Sequence, residues 1–342
     1  MTIGNIEKFI IHFVGNKNNG EGVRFSDNLT DYKGIEESFK KLISNSFKSE
    51  EVYKFYFQPN LELNPMYHFV GSIFKQNESF IEQSQNAGRY LYDKSTHPQI
   101  KGGELCIVYF NNCQINDESV DCIGLFKSEN KDTILKVNAT EKGFNLKEEK
   151  GINTSKLDKG CLIFNIKAED GYFISVVDNT NKNVEAQYWK DEFLRIQPVQ
   201  NEYYQTNQFL GIAKRFVTTQ LTELFEVSKA DQIDFLNRSV DYFNTNEKFE
   251  KEEFEKEVFQ DEGIIESFRS FDNTYRADNE IELFNSFEIS SQAVKKQARV
   301  FKRVLRLDKN FHIYIHGNKE LIEQGFEKDG RKYYKIYYEN EL

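Results

Sequence analysis

A run of cations at helical spacing is the part of this sequence with the clearest chemistry. From Lys295 to Lys309, seven basic residues minus one acidic residue give a local charge of +6, whereas the whole chain carries -10. We interpret the run as a helix from about Gln292 to Leu307, with cations on one stripe and apolar residues on another. The cationic candidates are Lys295, Lys296, Arg299, Lys302, Arg303 and Arg306. Such a stripe can displace counterions from a DNA backbone, so we expect it to contact phosphates.

A solvated charged face is the competing interpretation, because most charge runs simply face water. Nothing in the run indicates that bases are read, so any contact with DNA is expected to tolerate different sequences. After the run, Phe311, Ile313 and Ile315 alternate with polar residues, which predicts a strand. We expect that strand to pair with Tyr333–Tyr338, with a short helix over Leu321–Phe326 between them.

Other chemistry is less well supported by the sequence. Cys106, Cys113, Cys122 and Cys161 are spaced 7, 9 and 39 apart, which matches neither paired CxxC knuckles nor a redox CxxC. We expect reduced, buried thiols, with Cys106 and Cys161 in strands. His312 and His316 would lie roughly 13 Å apart on one strand face, too far for one metal ion.

The remaining motifs do not indicate catalysis. Gly102-Gly103 lacks the Lys-Ser or Lys-Thr of a phosphate loop, and we expect it to turn the chain into a strand. No acidic metal constellation stands out, which leaves a nuclease as the minor alternative. The prediction is a protein that is not an enzyme, with no cofactor and no metal.

Composition limits the class of protein. The 342 residues are enough for two domains, and 39% are hydrophobic and 29% charged, as in soluble globular proteins. No apolar run approaches 18 residues, and Met1–Val14 lacks the basic start of a secretory signal, so we expect a cytoplasmic protein without a membrane segment. With a pI near 5.3, any binding to nucleic acid must be focused on a patch.

The pattern of elements predicts an α+β fold in two domains, 1–200 and 201–342. The first should contain an antiparallel β-sheet with packed helices. It should begin with a hairpin of Ile6–Val14 and Val23–Ser26. Three helices are predicted: one over Lys33–Phe47, one that begins at Pro65 after an Asn64 cap, and one over Glu78–Lys94. The predicted strands of the sheet are Glu104–Phe110, Val120–Lys127, Thr133–Val137, Gly160–Lys167 and Tyr172–Asp178.

The second domain should be mostly helical and end in a short β-pair. Its predicted helices are Thr206–Glu226, Lys229–Phe243, Lys251–Phe259, Gly263–Phe271 and the basic helix 292–307. The segment Glu247–Glu266 holds nine acidic and three basic residues, and its Phe249, Phe254 and Val258 predict an amphipathic helix. This acidic helix either covers the basic helix or faces water.

Several separated motifs occur in one order across nearly the whole chain. They are His97 to Leu105 (HPQIKGGEL), Ile123 to Asn130 (IGLFKSEN), Lys156 to Cys161 (KLDKGC), Ala186 to Trp189 (AQYW), Ile289 to Lys296 and Leu307 to Gly317. Together these motifs resemble the bacterial nucleoid-associated proteins of the NdpA type.

The resemblance implies a non-enzymatic protein of the cytoplasmic nucleoid that associates with double-stranded DNA. The resemblance identifies no catalytic residues and no DNA-contacting residues in this chain. The choice of the basic helix as the DNA-binding element therefore rests on charge and periodicity alone. Two functions therefore stay open. One is a DNA-associating architectural protein, and the other is an adaptor that binds a DNA-processing protein, with DNA contact secondary. Homo-oligomerisation is also left open.

Overall fold

The computed structural model of the protein describes residues 1–48, 50–115, 118–180, 188–301, 304–315 and 321–340. The chain divides into two compact units, Met1–Val199 and Gln200–Leu342. The predicted α+β class is confirmed: an antiparallel sheet with helices lies in the first unit, and the second consists of helices followed by short β-pairs. No helix of the described residues is long and apolar enough to cross a bilayer.

The first unit is built on an eight-stranded antiparallel sheet with the order β10-β3-β9-β8-β5-β4-β1-β2. Its strands are β1 (Asn5–Val14), β2 (Val23–Arg24), β3 (Tyr53–Phe55), β4 (Gly103–Ile115), β5 (Glu118–Ser128), β8 (Lys159–Phe164), β9 (Phe173–Asp178) and β10 (Ile196–Pro198). The central strands are buried on both faces, so they consist of nearly continuous apolar residues.

Helices cover the two faces of this sheet. They are α1 (Glu36–Ser46), α2 (Pro65–Lys75) and α3 (Phe80–Lys94). Along β4, Leu105, Ile107 and Tyr109 belong to the core shared with α2 and α3. The alternate residues Cys106, Val108 and Phe110 belong to the core shared with α1. Because successive side chains of a strand point to opposite faces, β4 contributes alternate residues to two hydrophobic cores, one on each face of the sheet.

The predicted start of α2 is confirmed. Pro65 is its first residue, and the Asn64 side chain accepts hydrogen bonds from the Met66 and Tyr67 backbone N–H groups. The Gly102-Gly103 pair leads into β4, as expected. Gly103 is needed there for close approach, because a Cβ at this position would lie 1.8 Å from the Ser128 carbonyl oxygen.

The predicted strand Thr133–Val137 exists, but the expectation that it continues the main sheet is wrong. It forms part of β6 (Lys131–Thr140), which pairs only with β7 (Gly143–Ile152), a strand that the sequence analysis missed. We call this pair the β6–β7 hairpin. Its turn at Glu141-Lys142 lets β6 and β7 pair with each other, and β8 takes the position beside β5 in the sheet.

The second unit surrounds a core of phenylalanines. Its helices are α4 (Glu202–Thr218), α5 (Gln220–Leu224), α6 (Lys229–Thr245), α7 (Lys251–Val258), α8 (Glu262–Asp278) and α9 (Ser291–Val300), and β11 (Lys248–Glu250) pairs with β12 (Ser286–Glu288). The ring of Phe209 lies 4.3 Å from that of Phe249 and 5.0 Å from that of Phe254, between centroids. Phe254 and Val258 of α7 are buried, so the amphipathic acidic helix is confirmed for Lys251–Val258. Phe249 lies in β11, so the expectation that it belongs to the same helix is wrong.

The chain ends in two β-pairs whose partners differ from the prediction. β13 (Val304–Leu307) pairs with β14 (Phe311–Tyr314), and β15 (Ile322–Phe326) pairs with β16 (Lys332–Ile336). The predicted helix over Leu321–Phe326 and the pairing of Phe311–Ile315 with Tyr333–Tyr338 are therefore wrong. In both cases the chain reverses through a short polar loop. Pairing with the next strand closes a shorter loop than pairing with a distant strand, so it costs less conformational entropy.

Candidate nucleic-acid interface

Helix α9 is the element that positions the predicted cations. Ser290 caps its N-terminus by accepting a hydrogen bond from the Ala293 backbone N–H at 3.3 Å. The helix ends at Val300, so the prediction of a helix as far as Leu307 is wrong in its last part. Val304–Leu307 instead forms β13, because its alternating residues bury Leu305 against α6 and pair with β14.

Packing against α4 fixes the orientation of α9. Ala293 and Val294 are buried, and the Gln297 Nε2 donates to Asn207 Oδ1 at 2.8 Å. The Ser290 backbone N–H also donates to Thr206 Oγ1 at 3.0 Å. Apolar contact and hydrogen bonds thus hold one face of α9 against the core of the unit, and the opposite face points to solvent.

Three of the predicted cations lie on the outer face of α9. Lys295, Lys296 and Arg299 are all exposed. The Lys296 Nζ lies 5.4 Å from the centroid of the Tyr203 ring, which holds this ammonium close to α4. Lys295 and Arg299 are one helical turn apart, with Cβ atoms roughly 5–6 Å from each other. Within the described part of the chain, neither forms an ion pair with a carboxylate.

The acidic segment forms its described ion pairs away from this face. Two of its carboxylates pair elsewhere in the second unit: Glu250 with Lys248, and Glu255 with Arg269, whose Nη2 lies 2.7 Å from Glu255 Oε2. Among the described residues, no ion pair joins α7 to α9. Lys295 and Arg299 therefore keep their positive charge available to an external anion.

Arg306, the fourth described candidate, lies on β13 and not on the helix. It is exposed and stands opposite the exposed His312 in the β13–β14 pair. Its side chain lines a cleft of about 520 Å³ between α4, α6 and the start of β13. Arg306 is therefore a neighbour of α9 through the fold, although it does not share the helical stripe that the sequence analysis assigned to it.

This cleft adds two cations that the sequence analysis missed. Lys214 from α4 and Lys229 from α6 line it together with Arg306, and its described lining contains no acidic residue. The rest of its wall consists of two polar residues, Thr218 and Gln232, and four apolar ones, Ile233, Leu236, Val300 and Val304. Lys214 and Lys229 are isolated lysines in ordinary amphipathic helices, so only the packing of α4 against α6 could reveal them.

The interface that we consider below consists of six described cations, which we call the cationic surface. Its members are Lys214, Lys229, Lys295, Lys296, Arg299 and Arg306. The other predicted candidates, Lys302 and Arg303, lie outside the described residues, as does His316.

A second group of charged residues lies inside the first unit, where several of the motifs quoted above converge. The Lys127 Nζ donates to Glu129 Oε1 at 3.1 Å and to the Lys101 carbonyl at 2.7 Å. The Lys159 Nζ donates to Asp178 Oδ1 at 2.9 Å, and Tyr188 donates to Glu129 Oε1 at 2.7 Å. Burial lowers the pKa of Lys127 and raises that of Tyr188 well above its ordinary value.

Both lysine side chains of this group are fully buried, and each pairs with a carboxylate. The positive and negative charges of the group are equal in number, and the charged groups form hydrogen bonds with one another. The group is therefore stable inside the sheet, where an unpaired charge would be costly. The cysteines are also internal: Cys106, Cys113, Cys122 and Cys161 are buried and free of disulfides. Cys106 lies in β4 and Cys161 in β8, so their predicted burial in strands is confirmed.

Fold and charge together define a class: an acidic two-unit α+β protein that gathers exposed cations on one helix and an adjoining cleft. The sequence matches the family described as Nucleoid-associated protein YejK over residues 10–331 of 342, and the chain belongs to this family. The family resemblance inferred from the motifs is thereby confirmed, and with it the nucleoid-associated role. A search of curated proteins found no match.

Proposed function

We propose that this protein binds double-stranded DNA in the cytoplasmic nucleoid through its cationic surface, without reading the bases and without catalysis. The observation that carries the proposal is the outer face of α9. In a chain of net charge -10, Lys295 and Arg299 are exposed there on a helix fixed by its buried side. Membership of a nucleoid-associated family supports DNA as the polyanion.

The chemistry of the surface favours backbone contact. Lysine and arginine side chains bind phosphates as cations, and the release of condensed counterions supplies most of the affinity of such contacts. Recognition of bases would need side chains that enter a groove in a fixed register. The outer face of α9 presents single cations one turn apart and a half-buried amide, Gln297, already bonded to Asn207. The expected complex is therefore tolerant of sequence.

The cleft extends the same surface. Lys214, Lys229 and Arg306 place further positive charge around it. A duplex is too wide to enter a cleft of about 520 Å³, but phosphates that follow the rim can approach these side chains. Contacts from α4, α6, α9 and β13 would spread the interface over several elements, so that the loss of one cation weakens binding without abolishing it.

A titration of labelled duplex with the full chain tests the proposal. Binding is measured at about 50 mM and about 200 mM salt, where phosphate contacts lose affinity steeply. Each titration is repeated with and without magnesium. Retention that weakens with salt, leaves the duplex intact and is equal for unrelated sequences supports the proposal. No retention at either salt supports the adaptor alternative, and cleavage with magnesium would show a nuclease.

A further inference from the structure

The cleft between α4, α6 and β13 brings three cations together without a carboxylate. Lys214 comes from α4, Lys229 is the first residue of α6, and Arg306 lies on β13. Within the described part of the chain, none of the three forms an ion pair with an acidic side chain. Like charges around one cavity repel each other, and a bound anion would relieve this repulsion. The cleft is therefore suited to an anion small enough to enter it.

The apolar part of the wall shows that this anion must also carry an apolar group. Ile233 and Leu236 of α6 line the cleft together with Val300 and Val304, and Val300 is 48% exposed. Aliphatic side chains gain nothing from a phosphate, but they stabilise a ligand that covers them and excludes water. The volume of about 520 Å³ is within the range of small-molecule sites, which combine apolar walls with a few polar groups.

We propose that the cleft binds a nucleoside triphosphate, with the phosphates at the cations and the base against the aliphatic wall. The number of cations favours a polyphosphate. Each phosphate of a DNA strand carries about one negative charge, whereas a triphosphate presents several charges to Lys214, Lys229 and Arg306 at once. The other half of the ligand fits as well, because every base has an apolar π-face that can cover the aliphatic side chains.

The polar residues of the cleft favour the phosphates over the edges of the base. Thr218 Oγ1 donates to the Lys214 carbonyl at 2.9 Å, and Gln232 Oε1 accepts from Lys229 Nζ at 2.8 Å. An ammonium has three donors, so Lys229 keeps two for a phosphate. Since both polar side chains already form hydrogen bonds within the protein, they select weakly between bases. The ligand is therefore assigned as a class, nucleoside triphosphates, and ATP represents it below.

Calorimetric titration of the full chain tests the assignment. ATP is added up to about 2 mM without divalent metal, and inorganic triphosphate and adenosine are added in parallel. ATP should bind at one site. Inorganic triphosphate should bind roughly 10-fold more weakly, because it cannot cover the aliphatic wall, and adenosine should show no binding. Absence of ATP binding, or inorganic triphosphate that binds as tightly as ATP, overturns the proposal.

Two exposed cations of the cleft provide a variant with a matched control. Lys229→Gln with Arg306→Gln should weaken ATP binding roughly 10-fold, because two charge-assisted contacts are lost. Lys33→Gln with Lys41→Gln removes the same charge from exposed positions of the first unit and should leave ATP binding unchanged. Equal effects of the two double variants would place the nucleotide outside the cleft and overturn the proposal.

A change in the apolar wall separates the two halves of the ligand. Val300→Ser removes an exposed apolar surface at the end of α9 and leaves all the cations in place. It should weaken ATP binding several-fold and keep the affinity for inorganic triphosphate, which also shows that the cleft remains folded. If ATP affinity is unchanged in Val300→Ser, the base does not lie against this wall, and the assignment of a nucleotide is wrong.

One consequence rests on the proposed function. A nucleotide in the cleft neutralises cations that the DNA backbone would use, so ATP should weaken binding of a labelled duplex several-fold at constant ionic strength. Adenosine should have no effect, and in Lys229→Gln with Arg306→Gln the effect of ATP should disappear. Duplex affinity that saturating ATP leaves unchanged would overturn this competition. If the unmodified chain does not bind the duplex at all, the proposed function is wrong, and calorimetry still decides whether the cleft binds a nucleotide.

Discussion

His12 shows how one buried side chain links the fold of the first unit to pH. Its ring accepts a hydrogen bond at Nδ1 from the Ser26 backbone N–H at 3.1 Å, and its Nε2 lies 2.9 Å from Ser84 Oγ. The Ser84 hydroxyl in turn donates to the Ile81 carbonyl. These partners require a neutral ring, and burial, with a smaller effect of Arg89, lowers the pKa of His12 to about 4.

We therefore predict that His12 makes the first unit sensitive to mild acid. The ordinary pKa of about 6.5 applies in the unfolded chain, so the stability from the neutral ring is complete above that pH and is lost as pH falls toward about 4. The difference between urea midpoints at about pH 7 and about pH 4.5 should shrink in His12→Gln. The exposed His68→Gln provides the control, and an unchanged difference in His12→Gln would contradict the prediction.

The cysteines give a second prediction for single residues. All four are buried, and burial raises the pKa of Cys106 to about 12. Since the thiolate is the reactive form, a thiol reagent should label Cys106 and Cys161 slowly in the native protein and quickly after denaturation. Mass spectrometry of tryptic peptides measures each site separately. Rapid native labelling of either residue would show that β4 or β8 opens far more easily than its packing indicates.

Among the elements, the start of α2 depends most on one side chain. The fully buried Asn64 caps the helix, and its Nδ2 donates to the carbonyls of Tyr56, Leu194 and Arg195 at 3.1 to 3.2 Å. Asn64→Ala removes the cap and leaves these acceptors without that donor, so the first unit should lose about 3 kcal/mol of unfolding free energy.

The matched control for this prediction is Asn60→Ala. Asn60 is an exposed cap that accepts one hydrogen bond, from the Glu62 backbone N–H, and its loss should cost about 1 kcal/mol or less. Urea denaturation followed by the fluorescence of the buried Trp189 reports on the first unit. Equal effects of the two substitutions would mean that the Nδ2 bonds of Asn64 contribute nothing.

The start of α2 and the end of α9 show which helix boundaries can be predicted from the sequence. The start of α2 is set by local chemistry, an asparagine cap followed by proline, so it was predicted to the residue. The end of α9 is not local. Phe301 and Leu305 continue the helical spacing, while Leu305 and Leu307 fit a strand equally well, and pairing with β14 decides between them. Such ambiguity in short apolar runs is expected.

For the whole molecule, the α+β class and the main sheet followed from short apolar, β-rich runs that turn residues separate. The composition of the candidate site could be predicted only in part. Lys295, Lys296 and Arg299 belong to one charge run, whereas Lys214 and Lys229 reach the cleft from two other helices. The strand β7 was missed for a different reason, because its mixed charges hide the alternation of its apolar residues. The division into domains 1–200 and 201–342 stays a prediction, whereas the two compact units of the chain divide between Val199 and Gln200.

The central claim is that local positive charge on α9 binds the DNA backbone. Lys295→Glu with Arg299→Glu tests it, because both residues are exposed and the packed residues Ala293 and Val294 stay unchanged. The control, Lys33→Glu with Lys41→Glu, changes two exposed lysines of the first unit and shifts the net charge by the same amount. Any effect of total charge alone will therefore appear in both variants.

The most direct measurement is the slope of log affinity against log salt for a labelled duplex. If three or four of the six cations in the cationic surface each neutralise a phosphate, the unmodified chain should give a slope of roughly -3 to -4, and the control should give nearly the same slope. The α9 variant should bind more weakly, and its slope should be smaller in magnitude by roughly 2, since each lost phosphate contact removes about 0.9. An α9 variant with the affinity and slope of the control would contradict the claim and leave α9 as a solvated face.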